Sequence, residues 1–396
     1  MIDSVPFGSL LSKIIDNRGK TCPTSEDGIP LIATNCIKNE HLYPVYEKVR
    51  YVSQEIYDTW FRGHPEPGDL IFVLKGTPGR VNWVNDPVDF CIAQDMVALR
   101  VDESKVYPKY LFAVLRSSQI QQEIEGLHVG SLIPHFKKSD FDDLQIPLVE
   151  QKLQKYIGDT YFNLSLKIDL LHRQNKTLEA MAETLLIQHV LPREDEQNDG
   201  LHVLGDYLET ISVTHKFPNF QVVFLNTSDI YKGKVLTHEL SDVKGLPGQA
   251  KKSIKKGDIL FSEIRPANGR YALIDFDAGN YVVSTKLMVL RAKQPKLIGL
   301  LYFYLTNKQV TDWLQVLAES RSGTFPQITF DQVADLELRL PQESDLDDLL
   351  ELLDDILLKQ SANNKQIQTL ENLRDTLLPK LMSGEVRVQY QTEEVA

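Results

Sequence analysis

The sequence lacks the motifs that identify the common enzyme classes. It has no GxxxxGK(S/T) phosphate loop, no HExxH zinc helix, no GxSxG nucleophile turn and no glycine-rich dinucleotide fingerprint. Its nine histidines are scattered, and none forms a pair at metal-ligand spacing. We therefore expect no catalytic residue and no metal site in this chain.

Cysteines and long apolar runs are also scarce. The three cysteines, Cys22, Cys36 and Cys91, are odd in number and form no CxxC pair, so neither a disulfide framework nor a zinc site is indicated. The longest apolar run, residues 297–305, is too short to cross a bilayer, and residues 1–10 lack the pattern of a secretory signal. We expect a cytoplasmic protein that contacts no membrane.

The charge balance weighs against a nucleic-acid partner, but it is uneven. The 396 residues carry a net charge of -12, with the 42% hydrophobic and 25% charged content of two or three globular domains. One run of lysines contains no acid, and at physiological salt a charge acts over only about 8 Å, so a local basic face can bind phosphates. A solvated loop is the equal alternative. The run comprises Lys244, Lys251, Lys252, Lys255 and Lys256.

Two stretches have the heptad pattern of coiled-coil helices. Apolar residues recur at alternating steps of four and three over Gln151–His189 and, less regularly, over residues 342–382. Asn175 and Asn363 interrupt the two seams and suit a register-fixing role, with an exposed position as the alternative. The predicted seam residues are Leu164, Ile168, Leu171, Asn175, Leu178 and Leu185, and Leu353, Ile356, Asn363, Ile367, Leu370 and Leu377.

The chain contains an internal duplication. The sequences TLE and TLL at residues 177–179 and 184–186 recur 192 positions later, and PGDLIF at 67–72 matches KGDILF at 256–261. A unit this long is not a solenoid repeat, so each copy is predicted to be a globular domain followed by a long helix.

Each copy has a tight turn flanked by cations after its GD strand. The turns are KGTPGR at residues 75–80 and RPANGR at residues 265–270, and their cations and second glycines match at an offset of 190. Such a hairpin can enter a DNA groove, where Arg or Lys reaches guanine or phosphate oxygens. The alternative is that glycine only forms the turn and the cations keep it soluble. The candidate DNA contacts are Lys75, Thr77, Arg80, Arg265, Asn268 and Arg270.

A second pair of loops combines small hydroxyl residues with glycine. These loops, residues 130–138 and 320–327, leave backbone N–H groups available for phosphate, and Phe136 or Phe325 can pack on sugar or base if exposed. A turn with buried phenylalanines is the equal alternative. The candidate DNA contacts here are Ser131, His135, Lys137, Lys138, Arg321, Ser322, Thr324 and Gln327, and the lysine run adds Lys251 and Lys252.

The rest of each copy is predicted to mix strands and helices. Residues 90–99 and 281–290 are rich in β-branched and aromatic residues and are predicted as strands. Residues 108–125 are predicted as a helix that Gly126 caps at its C-terminus, and residues 297–317 as its counterpart in the second copy.

The duplication, the GD strands, the GS/GT turns and the TLE...TLL helices together resemble the specificity subunit of type I restriction-modification enzymes. The resemblance covers nearly the whole chain. It implies an α+β fold with two similar target recognition domains, separated by two long antiparallel coiled-coil helices in a pseudo-two-fold internal repeat. The expected division is domain 1 at residues 1–150, spacer helix 151–190, linker 191–200, domain 2 at 201–341, spacer helix 342–382 and tail 383–396.

The same resemblance implies a non-catalytic reader of a bipartite, asymmetric site in double-stranded DNA. Two methyltransferase subunits would dock on the helices and bring S-adenosylmethionine, and restriction subunits bound through them would bring ATP and Mg²⁺. This chain itself would hold no cofactor.

Two alternatives belong to other classes. The overall acidity suits a coiled-coil adaptor without a DNA role. A stand-alone metal-dependent nuclease is the weaker alternative, because Asp258, Glu263 and Arg265 only loosely match two acids and a base, and the first copy has Leu74 in place of the second acid.

Overall fold

The computed structural model describes residues 3–17, 19–127, 134–192, 201–321 and 324–386. The chain forms two compact units: unit 1 comprises residues 1–173 and 364–396, and unit 2 comprises residues 174–363. Each unit therefore contains one globular domain and part of each long helix.

The first domain and the helix that follows it contain nine strands and four helices within the described residues. The strands are β1 (Asp3–Pro6), β2 (Leu11–Asp16), β3 (Ile29–Ile32), β4 (Arg50–Val52), β5 (Leu70–Val73), β6 (Val81–Trp83), β7 (Cys91–Ile92), β8 (Met96–Val101) and β9 (Gln145–Leu148). The helices are α1 (Gln54–Trp60), α2 (Pro108–Leu115), α3 (Ser118–Gly126) and α4 (Gln151–His189).

The second domain and its helix repeat this order with additional short strands. The strands are β10 (Leu201–Val203), β11 (Leu208–Thr210), β12 (Gln221–Leu225), β13 (Ile230–Tyr231), β14 (Lys234–Val235), β15 (Leu240–Asp242), β16 (Ala250–Ser253), β17 (Ile259–Ser262), β18 (Tyr271–Leu273), β19 (Tyr281–Ser284), β20 (Leu287–Ala292) and β21 (Glu337–Arg339). The helices are α5 (Ile298–Thr306), α6 (Lys308–Arg321), α7 (Phe330–Ala334) and α8 (Glu343–Ser383).

The strand order confirms the internal repeat. The antiparallel sheet β2-β8-β5-β6 of unit 1 corresponds to β11-β20-β17-β18 of unit 2. A second sheet, β4-β3-β7, corresponds to β15-β12-β19, with the parallel pairs β3/β7 and β12/β19, and unit 2 adds β16 at its edge. The pairs β1/β9 and β10/β21 join the start of each domain to its end.

Each domain has its own apolar core, which holds the hairpins and loops described below. In unit 1, Phe7, Phe72, Phe136 and Phe141 pack with ring centroids 4.9 to 5.8 Å apart. In unit 2, α5 is apolar on all sides, and its side chains from Leu300 to Leu305 are all buried.

The long helices pack antiparallel within each unit. In unit 1, Ile157 and Tyr161 of α4 lie in one core cluster with Leu378 and Leu381 of α8, and further along α4 Ile168 and Leu171 contact Ile367. In unit 2, Ala182 and Leu186 share a cluster with Leu349 and Leu353. Later residues of α4 meet earlier residues of α8 in both units.

Two segments predicted as single helices are each a pair of helices, because a polar residue within each segment caps the start of a second helix. Residues 108–125 divide into α2 and α3, where the Ser117 hydroxyl accepts a hydrogen bond from the Ile120 N–H. Gly126 is the last residue of α3 rather than a residue beyond it. Residues 297–317 divide into α5 and α6 at Asn307, whose side chain accepts from the Gln309 N–H at 2.8 Å.

Two predicted strands are likewise each a pair of strands. Residues 90–99 form β7 and β8, with Asp95 between them in the left-handed region at φ 73°. Residues 281–290 form β19 and the first part of β20, with a turn at Thr285 and Lys286. The polar pairs Gln94-Asp95 and Thr285-Lys286 stand at these turns and are half-buried or exposed. The apolar residues on both sides of each pair are nevertheless consistent with one continuous strand, which is why each segment was predicted as a single strand.

Among the described residues, none of the helices combines the length and apolar content that a membrane crossing requires.

Candidate nucleic-acid interface

The first hairpin lies between β5 and β6 and contains three of the predicted DNA contacts. The Val73 N–H donates to the Arg80 carbonyl at 2.9 Å, and the Gly79 N–H donates back to the Val73 carbonyl at 3.0 Å. Gly79 has φ 90°, a backbone conformation that is strained for any residue with a side chain. Lys75, Thr77 and Arg80 are half-buried, with their side chains on this turn.

The fold brings the second candidate loop against this hairpin. The Gly76 N–H donates to the Pro134 carbonyl at 3.0 Å, the Phe136 N–H donates to the Leu74 carbonyl at 2.7 Å, and Lys75 forms a β-bridge with His135. Two segments that are separate in sequence therefore make one surface. Of the other predicted contacts, His135, Lys137 and Lys138 are exposed, Lys138 pairs with Asp16, and Ser131 lies outside the described residues.

The second unit builds the same arrangement between β17 and β18. The Arg265 N–H donates to the Pro326 carbonyl at 3.2 Å, the Ile328 N–H donates to the Glu263 carbonyl at 2.9 Å, and Ile264 bridges to Gln327. Arg265 is exposed and adopts the left-handed conformation at φ 46°. Asn268 and Thr324 are exposed and Gln327 is half-buried, whereas the Arg321 side chain and Ser322 lie outside the described residues.

A glutamine from the following helix holds each hairpin. In unit 1, Gln121 Nε2 donates to the Gly79 carbonyl at 2.8 Å. In unit 2, Gln315 Oε1 accepts from the Ala267 N–H at 3.3 Å. Both hairpins are therefore supported by a helix, which limits the entropy lost when they bind a ligand.

The sequence left open whether Phe136 and Phe325 are buried or exposed, and the two residues differ in this respect. Phe136 is fully buried in the unit 1 core, so it cannot stack on a base or sugar. Phe325 is 58% exposed beside Arg265. Only the second unit offers an aromatic ring at this position.

In unit 2, two predicted contacts have intramolecular partners. Arg270 Nη1 donates to the Ser228 and Ile230 carbonyls, each at 3.1 Å, and the guanidinium lies 5.2 Å from the ring centroid of Tyr231. Lys252 Nζ donates to the Leu287 and Thr285 carbonyls, and burial lowers its pKa. Lys251, by contrast, is exposed. DNA contact by any of the three stays a prediction.

Sequence reasoning missed a basic turn beside the second hairpin. The Lys232 N–H donates to the Gly269 carbonyl at 2.8 Å and the Gly233 N–H to the Tyr271 carbonyl at 2.9 Å. This places exposed Lys232 and Lys234 next to the hairpin. A Lys-Gly turn between short β-branched and aromatic pairs was the available signal, but pairing across more than thirty residues is not visible in the letters.

The acids of the nuclease alternative are engaged elsewhere. The fully buried Asp258 carboxylate receives two hydrogen bonds from Arg291, at 2.7 and 2.9 Å, and Glu263 faces Lys252 at 4.0 Å. In the described part of the chain, no three His, Cys, Asp or Glu side chains are grouped to hold a metal ion. Asp258 therefore serves as a structural anchor of the GD turn.

The predicted seam residues all face protein. Asn363 is 1% exposed and its Nδ2 donates to Asn175 Oδ1 at 2.8 Å and to Gln174 Oε1 at 3.0 Å, so the exposed alternative does not apply to it. Ile168, Leu171, Leu353, Ile356, Asn363 and Ile367 are buried, and Leu164, Asn175, Leu178, Leu185, Leu370 and Leu377 are half-buried. Their role in holding partner subunits stays a prediction.

Comparison with known proteins gives two matches to one family. The sequence model described as the type I restriction modification DNA specificity domain matches residues 15–180 and again residues 206–372. These two stretches correspond to the two copies of the duplication.

Two individual relatives are specificity subunits of type I restriction enzymes. The chain is 46% identical over 176 residues to the type I restriction enzyme HindI specificity subunit of Haemophilus influenzae, a match that spans 44% of this chain and 38% of that protein. It is 22% identical over 316 residues to the type I restriction enzyme MjaIX specificity subunit of Methanocaldococcus jannaschii, spanning 73% and 71%.

A solved structure shares the fold. The type I restriction-modification S subunit from M. genitalium superposes with a TM-score of 0.57 at 16% identity, covering 96% of each chain.

Proposed function

Because this chain belongs to the family of type I restriction-modification DNA specificity domains, we propose that each of its two globular domains reads one half of a bipartite, asymmetric DNA site. The chain supplies sequence specificity to a type I restriction-modification enzyme and is its non-catalytic subunit. The supporting observation is that both units dock the second loop on the hairpin through equivalent backbone hydrogen bonds: Gly76 to Pro134 and Phe136 to Leu74 in unit 1, and Arg265 to Pro326 and Ile328 to Glu263 in unit 2.

The side chains on this shared frame differ between the units. Unit 1 presents Lys75, Thr77 and His135, whereas unit 2 presents Arg265 and Asn268. Base edges in the major groove are distinguished by the donors and acceptors that meet them, so different side chains select different bases. Two unlike readers on one frame therefore select two unlike half-sites.

Exposed cations of each unit supply the phosphate contacts in this proposal. They are Lys137 and Lys138 in unit 1 and Lys232, Lys234 and Lys251 in unit 2. Phosphate contacts fix the register of a protein on DNA and carry no sequence information themselves. The acidic net charge does not oppose this role, since screening confines each charge to its neighbourhood.

The long helices set the distance between half-sites in our proposal. At 1.5 Å per residue the 39 residues of α4 span roughly 58 Å, more than one turn of DNA. We assign residues 1–150 and 201–341 to the two target recognition domains, 151–190 and 342–382 to the helical spacers, 191–200 to a linker and 383–396 to a tail.

We further propose that the helices dock two methyltransferase subunits, one for each unit. Large apolar side chains are exposed on the helices outside the seam: Leu170 and Leu373 in unit 1, and Met181, Leu352 and Leu358 in unit 2. Exposed apolar surface of this kind marks protein interfaces.

The cofactors and the compartment follow from these partners. S-adenosylmethionine would belong to the methyltransferase subunits, and ATP and Mg²⁺ to restriction subunits that join through them, with no cofactor in this chain. The complex would work in the cytoplasm, where its DNA lies.

The test begins with the chain assembled with its methyltransferase partner, whose methylated adenines in host DNA define the target. Binding is then measured on DNA with either half-site scrambled. We expect Arg265→Ala with Asn268→Ala to abolish discrimination at one half-site only, and Lys75→Ala with Thr77→Ala at the other. Each lost base contact should cost roughly 1 to 3 kcal/mol.

The matched control is Lys308→Ala, which removes an exposed cation of unit 2 outside both loops. It should leave discrimination at both half-sites unchanged. If both hairpin variants weakened the same half-site, or if neither affected discrimination, the assignment of one reader to each domain would be wrong.

A further inference from the structure

Strand β16 carries two adjacent lysines with opposite surroundings. Lys251 is exposed, whereas only 14% of the Lys252 side chain is accessible. The register of β16 on β19 shifts between them, with Ala250 opposite Ser284 and Lys252 opposite Val283, so Lys251 is the extra residue of a bulge. Its ammonium reaches solvent, whereas the Lys252 ammonium enters the domain.

The Lys252 ammonium has a built environment. Its Nζ donates to the Leu287 carbonyl at 2.8 Å and to the Thr285 carbonyl at 3.1 Å, and Glu263 Oε1 lies 4.0 Å away. Burying a charged amine is costly unless it is hydrogen-bonded and its charge is offset; here two backbone carbonyls accept hydrogen bonds and the carboxylate 4.0 Å away offsets the charge. The ammonium therefore ties β16 to the turn between β19 and β20.

That turn supports both candidate DNA-reading loops of unit 2. The Glu263 N–H donates to the Lys286 carbonyl at 3.1 Å, at the centre of the turn that Lys252 holds. Glu263 in turn accepts from the Ile328 N–H at 2.9 Å and leads directly into the hairpin at Arg265. A short chain of hydrogen bonds thus runs from Lys252 to the hairpin and to the loop at residues 324–328.

Unit 1 has the same backbone scheme, built on a different turn. The Leu74 N–H donates to the Asp95 carbonyl at 2.8 Å and the Phe136 N–H to the Leu74 carbonyl at 2.7 Å. Asp95 is in the left-handed conformation, and within the part of unit 1 that the structure describes the sheet β4-β3-β7 beside it has three strands, without a counterpart of β16. The ammonium brace is a feature of unit 2.

We propose that Lys252 positions the DNA-reading loops of unit 2 and thereby sets base discrimination at the second half-site, without contacting phosphate itself. This inference rests on the proposed function. It assigns opposite roles to two neighbouring lysines: Lys251 contacts phosphate, and Lys252 shapes the reader.

The salt dependence of binding separates these roles. Each phosphate contact contributes roughly 0.9 to the slope of log affinity against log salt. In the assembled complex, Lys251→Met should make this slope shallower by about 0.9 and leave base discrimination intact. Lys252→Met should leave the slope unchanged and lower discrimination at the second half-site by about tenfold, the size of one mismatch.

Two further variants guard against simple unfolding. Lys252→Arg keeps the charge and donors and should restore most of the discrimination. If Lys252→Met melts unit 2, as a lost thermal transition would show, Lys252→Gln retains one donor and takes its place. Unchanged discrimination at the first half-site in every variant shows that the complex is intact.

A shallower slope in Lys252→Met would identify a phosphate contact and overturn the proposal, as would full discrimination in both Lys252→Met and Lys252→Gln. Failure of the proposed function has a different signature, because the unmodified complex would then bind target and scrambled DNA equally.

Discussion

The two units differ most clearly where a domain helix crosses a long helix. In unit 1, Gly158 of α4 lies against α2, and a Cβ there would be 2.6 Å from the Tyr110 nitrogen. In unit 2 the glycine is on the domain side. Gly299 of α5 lies against α8, and a Cβ added at Gly299 would be 2.4 Å from Asp354 Oδ1. Gly299 aligns with Lys109, which is next to Tyr110. The close approach is common to both units, but the glycine that permits it is on opposite partners.

Other features agree in detail. Asp69 receives two hydrogen bonds from Arg100 and one from the Glu66 N–H, and Asp258 receives the same set from Arg291 and the Lys255 N–H. The repeated domains thus keep their backbone geometry and the Asp–Arg anchors that hold it. The glycines at the helix crossings and the side chains on the hairpin tips differ between the units.

The largest expected effect is the loss of an anchor. Arg100→Met or Arg291→Met leaves a buried carboxylate without its cation, which should lower the free energy of unfolding by roughly 3 kcal/mol in either unit. The cost is below that of a fully buried pair, because the two guanidiniums are 27% and 24% accessible. Urea unfolding of both variants measures it.

Lys105→Met is the control for this pair, because Lys105 is exposed and its ion pair with Asp102 should contribute far less than the arginine anchors. Equal losses in the two arginine variants would support the equivalence of the anchors. A large loss in one and none in the other would break it.

The glycine positions should respond unequally to alanine. Gly158→Ala places a methyl group against the backbone of Lys109 and Tyr110, which cannot rotate away, so overpacking of roughly 2 kcal/mol should exceed the helix-propensity gain of about 1 kcal/mol. Gly299→Ala meets the Asp354 side chain first, which can change rotamer, so its net cost should be smaller. Denaturant midpoints give the ranking.

Gly126→Ala provides the reference for that ranking, since nothing lies within 4 Å of its Cβ position at the end of α3. It should stabilise the chain slightly. If Gly299→Ala proved as costly as Gly158→Ala, the two crossings would be equally rigid and side-chain relaxation would not explain their difference.

The smallest expected effect is a pH dependence of unit 1. Burial lowers the pKa of His41, and the nearby Asp169 only partly offsets this. The unfolded chain therefore binds this proton near its ordinary pKa of about 6.5, above the folded pKa, so stability should fall as pH drops through that window. His41→Gln should flatten the curve of melting temperature against pH between 6.5 and the folded pKa.

Burial raises the pKa of Asp169, so this group has the opposite effect: stability should fall as pH rises from the ordinary carboxyl pKa to the folded pKa of Asp169. Asp169→Asn therefore serves as the companion variant. A pH profile that His41→Gln leaves unchanged would place the dependence elsewhere.

Much of the fold was predictable because it depends on local periodicity and on repetition. The heptad seams gave the long helices, and the α4 range Gln151–His189 is confirmed. The breaks between α2 and α3 and between α5 and α6 were not predictable. Each break is marked only by one polar residue, Ser117 or Asn307, which caps the helix that follows. Nothing in the letters near these residues distinguishes a cap from a tolerated polar residue.

The candidate interface was predictable in part. The hairpins and loops could be found because they recur, but their pairing, as between Lys75 and His135, arises from tertiary hydrogen bonds across distant segments. The burial of Lys252 could not be predicted either: Lys251 and Lys252 look alike in a lysine run, and the register shift of β16 that separates their environments depends on pairing with β19.

Unit 2 is an uninterrupted segment, residues 174–363, whereas unit 1 is assembled from both sides of it. During synthesis, every residue that unit 2 requires has emerged while Ile157 and Tyr161 still await Leu378 and Leu381. Domains usually mature from the N-terminus onward as translation proceeds. This nesting allows the opposite order: unit 2 has its whole sequence available first, whereas Ile157 and Tyr161 lack their α8 partners until Leu378 and Leu381 leave the ribosome.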